Sequence, residues 1–186
     1  MLPSTMEAFH PPAFLSEGTP RQQAAFEALE RLDIFTRLHP FDARLAGTVP
    51  LDVDLPGSDL DILCAVQHPA SFIEKVMTHY GAYPDFAVHH TAERILIRFT
   101  AHSFPIEIFA ATIPTPHQRA WVHMMAEWYL LQQGGPAAHH AIRRLKAAGM
   151  KTEPAFARYF RLSGDPYQVL YQLGMQVMQR YGTWTD

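Results

Sequence analysis

Between Leu45 and Cys64 an apolar run stops at Gly47-Thr48 and passes through a loop holding Pro50, Pro56 and Gly57. It resumes as a second apolar run that opens with Asp59-Leu60-Asp61-Ile62. Side chains alternate across a strand, so Asp59 and Asp61 are expected on one side and Leu60, Ile62 and Cys64 on the other. Two carboxylates held that close repel each other unless a cation lies between them. Hard oxygen ligands around a divalent ion suit magnesium or manganese. A chain with this stretch needs a sheet whose one face is apolar and whose rim gathers negative charge.

The remaining composition is consistent with such a sheet. Of the 186 residues, 48% are hydrophobic and 12% aromatic, enough to build a core and too many for a disordered chain. A formal net charge of -3 lacks the basic stripe of a dedicated nucleic-acid binder, so nucleic acid is not indicated by charge. Cys64 is the only cysteine, which excludes an internal disulfide, and its apolar strand predicts a buried, inert thiol. Met1 to Phe14 has no basic, long-apolar signal pattern, and no run reaches the ~18 apolar residues of a membrane span. The expectation is a cytoplasmic protein with no membrane contact; nothing in the sequence sets its oligomeric state.

Residues 1–18 are Pro-rich and aperiodic, which predicts an N-terminal arm that is ordered only if docked. Thr19-Pro20 then supplies an N-cap and a first-turn proline, and Ala24, Phe26, Leu29, Leu32, Phe35 and Leu38 mark one face of a helix stopped by Pro40. Strands are expected over 43–48 and 59–66, a short helix from Pro69 to Gly81, and strands over 85–89, 93–100 and 104–110. Short loops at Thr91 and His102 favour antiparallel neighbours. After Pro114-Thr115-Pro116 the pattern turns helical: 117–133 ending at Gly134-Gly135, then 136–148, 154–162, and a last helix opened by Asp165-Pro166. The fold class is therefore α+β: a core over 19–113 carrying a five-stranded sheet with flanking helices, and a C-terminal helical subdomain over 114–186.

Phosphoryl-transfer sites that use metal need oxygen ligands from several elements. The third candidate is Glu107, the lone charge in the apolar run Phe104 to Phe109, on the strand face opposite Ile106 and Ile108. Taken singly, an Asp-x-Asp caps loops and a strand glutamate faces water; their order and spacing carry the argument.

Leu45-Ala46-Gly47-Thr48, followed by the loop and Ser58-Asp59-Leu60-Asp61-Ile62, resembles the signature of the DNA polymerase beta-type nucleotidyltransferase superfamily. Glu107 matches that signature's third acid in order and distance. The resemblance covers roughly residues 20–110. The fuller run from Gly47 to Ile62, with Lys151-Thr152-Glu153-Pro154-Ala155-Phe156-Ala157, is similar to an uncharacterised bacterial nucleotidyltransferase-like family.

The resemblance implies a mixed five-stranded nucleotidyltransferase sheet and transfer of a nucleoside monophosphate from a triphosphate such as ATP to a hydroxyl acceptor. Asp59, Asp61 and Glu107 would be the catalytic metal ligands for magnesium or manganese, while Gly47, Thr48 and Ser58 would bind nucleotide phosphates. The nucleotide base and the acceptor stay open. The sequence departs from the pattern in two ways: Thr48 replaces the usual Ser, and Asp52 and Asp54 add negative charge to a loop that holds no Lys or Arg. Those acids motivate an alternative, a catalytically degenerate binding protein of the same fold. A metal-dependent phosphohydrolase using the same acids is a third reading.

Other polar residues are secondary. His123 and Glu127 sit four apart on one helix face and are expected as a structural hydrogen-bonded pair beside the site. Arg94, Arg98, Lys146 and Lys151 are the cations that could meet phosphate. His89-His90 and His139-His140 read as surface usage, and Trp121, Met124, Met125, Trp128 and Phe156 as helical core.

Overall fold

Thr19 and Pro20 begin the first long helix as their chemistry dictates. In the computed structural model, which describes residues 2–182, helix α1 runs Pro20–Leu32. The Thr19 side chain accepts from the Gln22 amide while the Gln22 side chain accepts from the Thr19 amide, a reciprocal cap. The predicted helix to Leu38 is interrupted by Asp33, whose left-handed φ of 53° ends α1, and α2 follows over Ile34–Arg37. The buried face carries Ala25, Ala28, Leu29 and Leu32, while Ala24 is exposed. Leu29, Leu32 and Leu38 of the predicted face are buried and Phe26 and Phe35 pack on the core, so Ala24 alone departs from it, alanine marking a face weakly.

Strands β1 (Arg44–Ala46), β2 (Leu60–Ala65), β3 (Ala87–His90), β4 (Ile95–Ala101) and β5 (Phe104–Ala111), with helix α3 (Pro69–Tyr80) after β2, form one sheet ordered β1-β2-β5-β4-β3. β2 and β5 are parallel; every other pairing is antiparallel. β4 turns into β5 through His102 and Ser103, both at positive φ (49° and 68°), the geometry of a two-residue hairpin that follows strand twist.

The sheet has a hydrophobic core on each side. Leu60, Ile62, Cys64, Ile97, Ile106 and Ile108 face α1 and α3. Ala46, Leu63 and Phe109 face the C-terminal helices α4 (Arg119–Ala147), α5 (Thr152–Phe160) and α6 (Pro166–Arg180). Trp121, Met124, Met125, Trp128 and Phe156 are buried there, as their spacing predicts. Gln118 ties the start of α4 to the sheet, its amide donating to Cys64 O (2.9 Å) and Ile113 O (3.0 Å).

The expected break at Gly134-Gly135-Pro136 is present as a kink that divides α4 into two helical stretches. Gly135 alone leaves helical geometry (φ 56°, ψ -156°) and α4 continues beyond it. Proline disfavours helical geometry in the residue before it, and glycine takes the left-handed alternative without a Cβ penalty. The N-terminal arm is docked: Pro3 O accepts from Trp128 Nε1 (2.9 Å) and Gln132 Nε2 (3.1 Å), and Met6, Phe9 and Leu15 are buried. Among the described residues no helix is long and apolar enough to cross a membrane.

Candidate active site

The strand register brings the three acids to one place. Asp61 on β2 pairs with Glu107 on β5 and with Ala46 on β1, so Asp61 and Glu107 share the sheet face opposite Ile62 and Ile108. Asp59 stands just ahead of β2, two residues earlier and on the same side. One carboxylate oxygen from each of Asp59, Asp61 and Glu107 lies within 4.8 Å of the others.

This crowding has an electrostatic signature. Burial, then Asp59 and Glu107, push the Asp61 carboxyl up to about 7; burial and Glu107 also raise Asp59. Such a donor set favours a cation and costs free energy without one. Arg98, opposite Glu107 on β4, supplies part of the counter-charge through a 2.5 Å contact from Nε to Glu107 Oε1.

Gly47 is required by this packing. It follows β1 at φ +80°, and a Cβ there would overlap the Asp61 carboxylate. The loop beyond it is held by residues that the sequence did not single out. Buried Gln22 donates to Val49 O (3.0 Å) and Pro50 O (3.2 Å). Arg21 donates to Asp54 Oδ2 (3.1 Å) and Ser58 O (2.9 Å) and rests on the Phe104 ring, 4.2 Å from its centroid. Nothing in local sequence pattern distinguishes Arg21 from any charged residue in a first helical turn.

A cleft of about 370 Å³ opens between this loop and the C-terminal helices. Gly47, Thr48, Ser58, Asp59 and Asp61 line one wall; His123, Glu127, Lys146, Lys151 and Glu153 line the other. The Ser58 hydroxyl accepts from the Leu55 amide (3.0 Å), while the Thr48 hydroxyl makes no hydrogen bond among the described residues.

The two loop acids do not face this cleft unpaired: Asp54 is tied to Arg21 and Asp52 to Arg143. The cation absent from the loop in sequence is present in space, because Lys146 lies in the cleft with Nζ donating to Val53 O (2.8 Å). Burial lowers the Lys146 pKa, against the opposing pull of Glu127, Asp54 and Glu153.

His123 and Glu127 do share the cleft wall, but they are not each other's partner. His123 Nδ1 meets Glu153 Oε1 (3.2 Å) and Nε2 meets Tyr167 O (3.0 Å). Burial opposes ionisation of Glu153, yet its hydrogen bonds from His123 and the backbone hold it below the usual carboxylate range. Burial, then Glu153, raise Glu127 well above that range. Arg94, His89 and His90 lie away from the cleft, and His139 approaches Asp52 O (3.4 Å) on the far side of the loop. Cys64 is buried, its thiol pushed up by burial.

The family described as "Domain of unknown function (DUF4269)" matches residues 27–173. The chain belongs to this family. No curated protein matches this DUF4269 chain in sequence. Among solved structures, Cid1 poly(U) polymerase bound to MgATP is similar at 14% identity and a TM-score of 0.55, covering 88% of this chain and 54% of that one. The same polymerase bound to MgGTP gives 14% and 0.56 over the same shares. GLD-2 from the GLD-2/RNP-8 complex gives 12% and 0.55, covering 98% of this chain and 69% of that one. The DUF4269 chain spans about half the length of the Cid1 structures it resembles. At these identities the likeness shows the fold: a nucleotidyltransferase fold with a mixed five-stranded sheet and flanking helices.

Proposed function

We propose that this DUF4269 chain is a metal-dependent nucleotidyltransferase that moves a nucleoside monophosphate from a nucleoside triphosphate to a hydroxyl acceptor. The observation that carries it is the convergence of Asp59, Asp61 and Glu107 within 4.8 Å, with the two aspartates on the wall of a cleft, in a fold shared with polymerases solved with MgATP and MgGTP.

The three carboxylates suit magnesium or manganese as a hard oxygen donor set, and the raised pKa values of Asp59 and Asp61 mark a site that a cation would relieve. When bound, divalent ions would offset triphosphate charge and favour ionisation of the acceptor hydroxyl. Asp59, Asp61 and Glu107 would hold those ions, with Arg98 orienting Glu107. Gly47, lacking a Cβ, would let its backbone approach phosphate oxygens, and the Thr48 hydroxyl would donate to one. Ser58 shapes the same wall through its contact with Leu55. Lys146 and Lys151 would meet the outer phosphates from the opposite wall.

The pairing of Asp52 and Asp54 with arginines removes the charge conflict that favoured a degenerate, non-catalytic reading. Incubation of the protein with magnesium, labelled triphosphates and a panel of hydroxyl acceptors should yield pyrophosphate and a nucleotidylated product. The Asp59→Ala/Asp61→Ala double variant should lose at least about a hundredfold in rate. Undiminished turnover in that variant would refute the proposal, and release of inorganic phosphate without acceptor modification would identify a phosphohydrolase instead.

A further inference from the structure

A second hollow, of about 850 Å³, lies where the residues ahead of β1 meet α2, α3 and the N-terminal arm. It shares no lining residue with the acidic cleft. The register separates them: Ala46 pairs with Asp61 and Arg44 with Leu63, so Asp42 and Ala43 lie toward the opposite end of β2 from the carboxylates. The volume is within the range of about 300–1,000 Å³ common to small-molecule sites.

Its polar chemistry is one-sided. Lys75 is half-buried, 5.8 Å from the centre of the Phe41 ring, and has no ion pair among the described residues. Arg37 Nη1 lies 2.6 Å from His79 Nδ1. A guanidinium only donates, so Nδ1 accepts and Nε2 carries the ring proton. Lys75 and His79 are one turn apart and share a face of α3.

Acceptors to match these donors are already engaged. Asp42, the acid of the lining, accepts from Arg44 and Thr115. Asp33 forms an ion pair with Arg37 (Oδ2 to Nε, 3.4 Å) whose geometry leaves the Nε hydrogen without a hydrogen bond. Three buried side-chain polar atoms lack a hydrogen-bond partner among the described residues, and two of them, His10 Nδ1 and Arg37 Nε, belong to residues of this lining. Phe35, Pro11, Pro40 and Ala43 supply the apolar part of the lining, beside Thr36 and His39.

We propose that this hollow binds a small oxyanion, a phosphate monoester or a carboxylate, carried on a compact planar body. Lys75 and Arg37 take the oxyanion, and the Phe35 side receives the planar part. The site stands independently of the catalytic reading.

Calorimetric titration of the full chain tests it, with phenyl phosphate, benzoate and inorganic phosphate as probes and a chelator present so that metal-dependent binding at the acidic cleft is silent. We expect saturable binding of phenyl phosphate with Kd below about 1 mM, weakened about tenfold or more in Lys75→Ala. Phenyl phosphate binding tighter than benzoate assigns a phosphate ligand, and the reverse assigns a carboxylate. Lys75 is half-buried at the surface, and Lys75→Met, which keeps the stem over Phe41, controls for any packing change. No saturable binding of either aromatic probe overturns the proposal, as does binding unaltered in both Lys75→Ala and Arg37→Ala. Inorganic phosphate binding as tightly as phenyl phosphate would overturn the planar-body requirement.

Discussion

Gly47 and Asp61 are coupled more tightly than their separation in sequence suggests. A methyl group at Gly47 would overlap the Asp61 carboxylate, and the backbone there holds φ +80°. Gly47→Ala should therefore cost roughly 2–4 kcal/mol in denaturant unfolding and displace Asp61 from the cluster, abolishing metal binding measured by calorimetry. Asp61 also predicts a pH dependence. Its folded pKa of about 7 stands above the ordinary carboxylate value, so the folded state holds the extra proton and gains stability at low pH. With chelator present, that stability is fully present below about pH 4 and should be lost by the time pH has risen through 7, read as a Tm that falls between pH 4 and 7 and levels off above. Magnesium should reverse the fall, and its affinity should rise about tenfold for each unit that pH increases up to 7, as one proton is displaced from Asp61. A metal-free protein whose Tm rises steadily over that window would contradict this account of Asp61.

At the scale of elements, Arg21 joins α1 to the loop after β1 by bonding both Asp54 and Ser58 O. Arg21→Ala leaves a buried Asp54 carboxylate without its cation, and because Arg21 itself is one-third exposed the cost should be about 1–3 kcal/mol. Unfolding curves measure that directly, and weaker triphosphate binding should accompany it. The strands of the sheet were legible because their alternation is strong: Leu60, Ile62 and Ile106, Ile108 lie on the face predicted for them. The break at Asp33 was not, since an aspartate in left-handed geometry looks like any polar residue on an exposed helix face. Gly134-Gly135-Pro136 was legible, because glycine before proline interrupts a helix, and Gly135 is where the two stretches of α4 meet at a kink. The acids could be read from their order along the chain, but Lys146 could not be assigned to the cleft, because that depends on how α4 lies over the sheet.

For the whole molecule, the sheet is a partition between two cores, with α1 and α3 on one side and α4, α5 and α6 on the other. The acids lie at the rim where the second core gives way to the cleft, so they are partly desolvated yet reachable. That position explains both the raised pKa values of Asp59 and Asp61 and the fitness of the cluster for a cation. The central claim is that Asp59, Asp61 and Glu107 together hold divalent metal, and a crystal grown with manganese and a non-hydrolysable triphosphate tests it most directly. The account predicts anomalous density among the three side chains, with carboxylate oxygens at about 2.0–2.2 Å and the phosphates reaching toward Gly47 and Thr48. Saturating manganese that leaves the acids without a peak, or a peak that excludes Glu107, would contradict it.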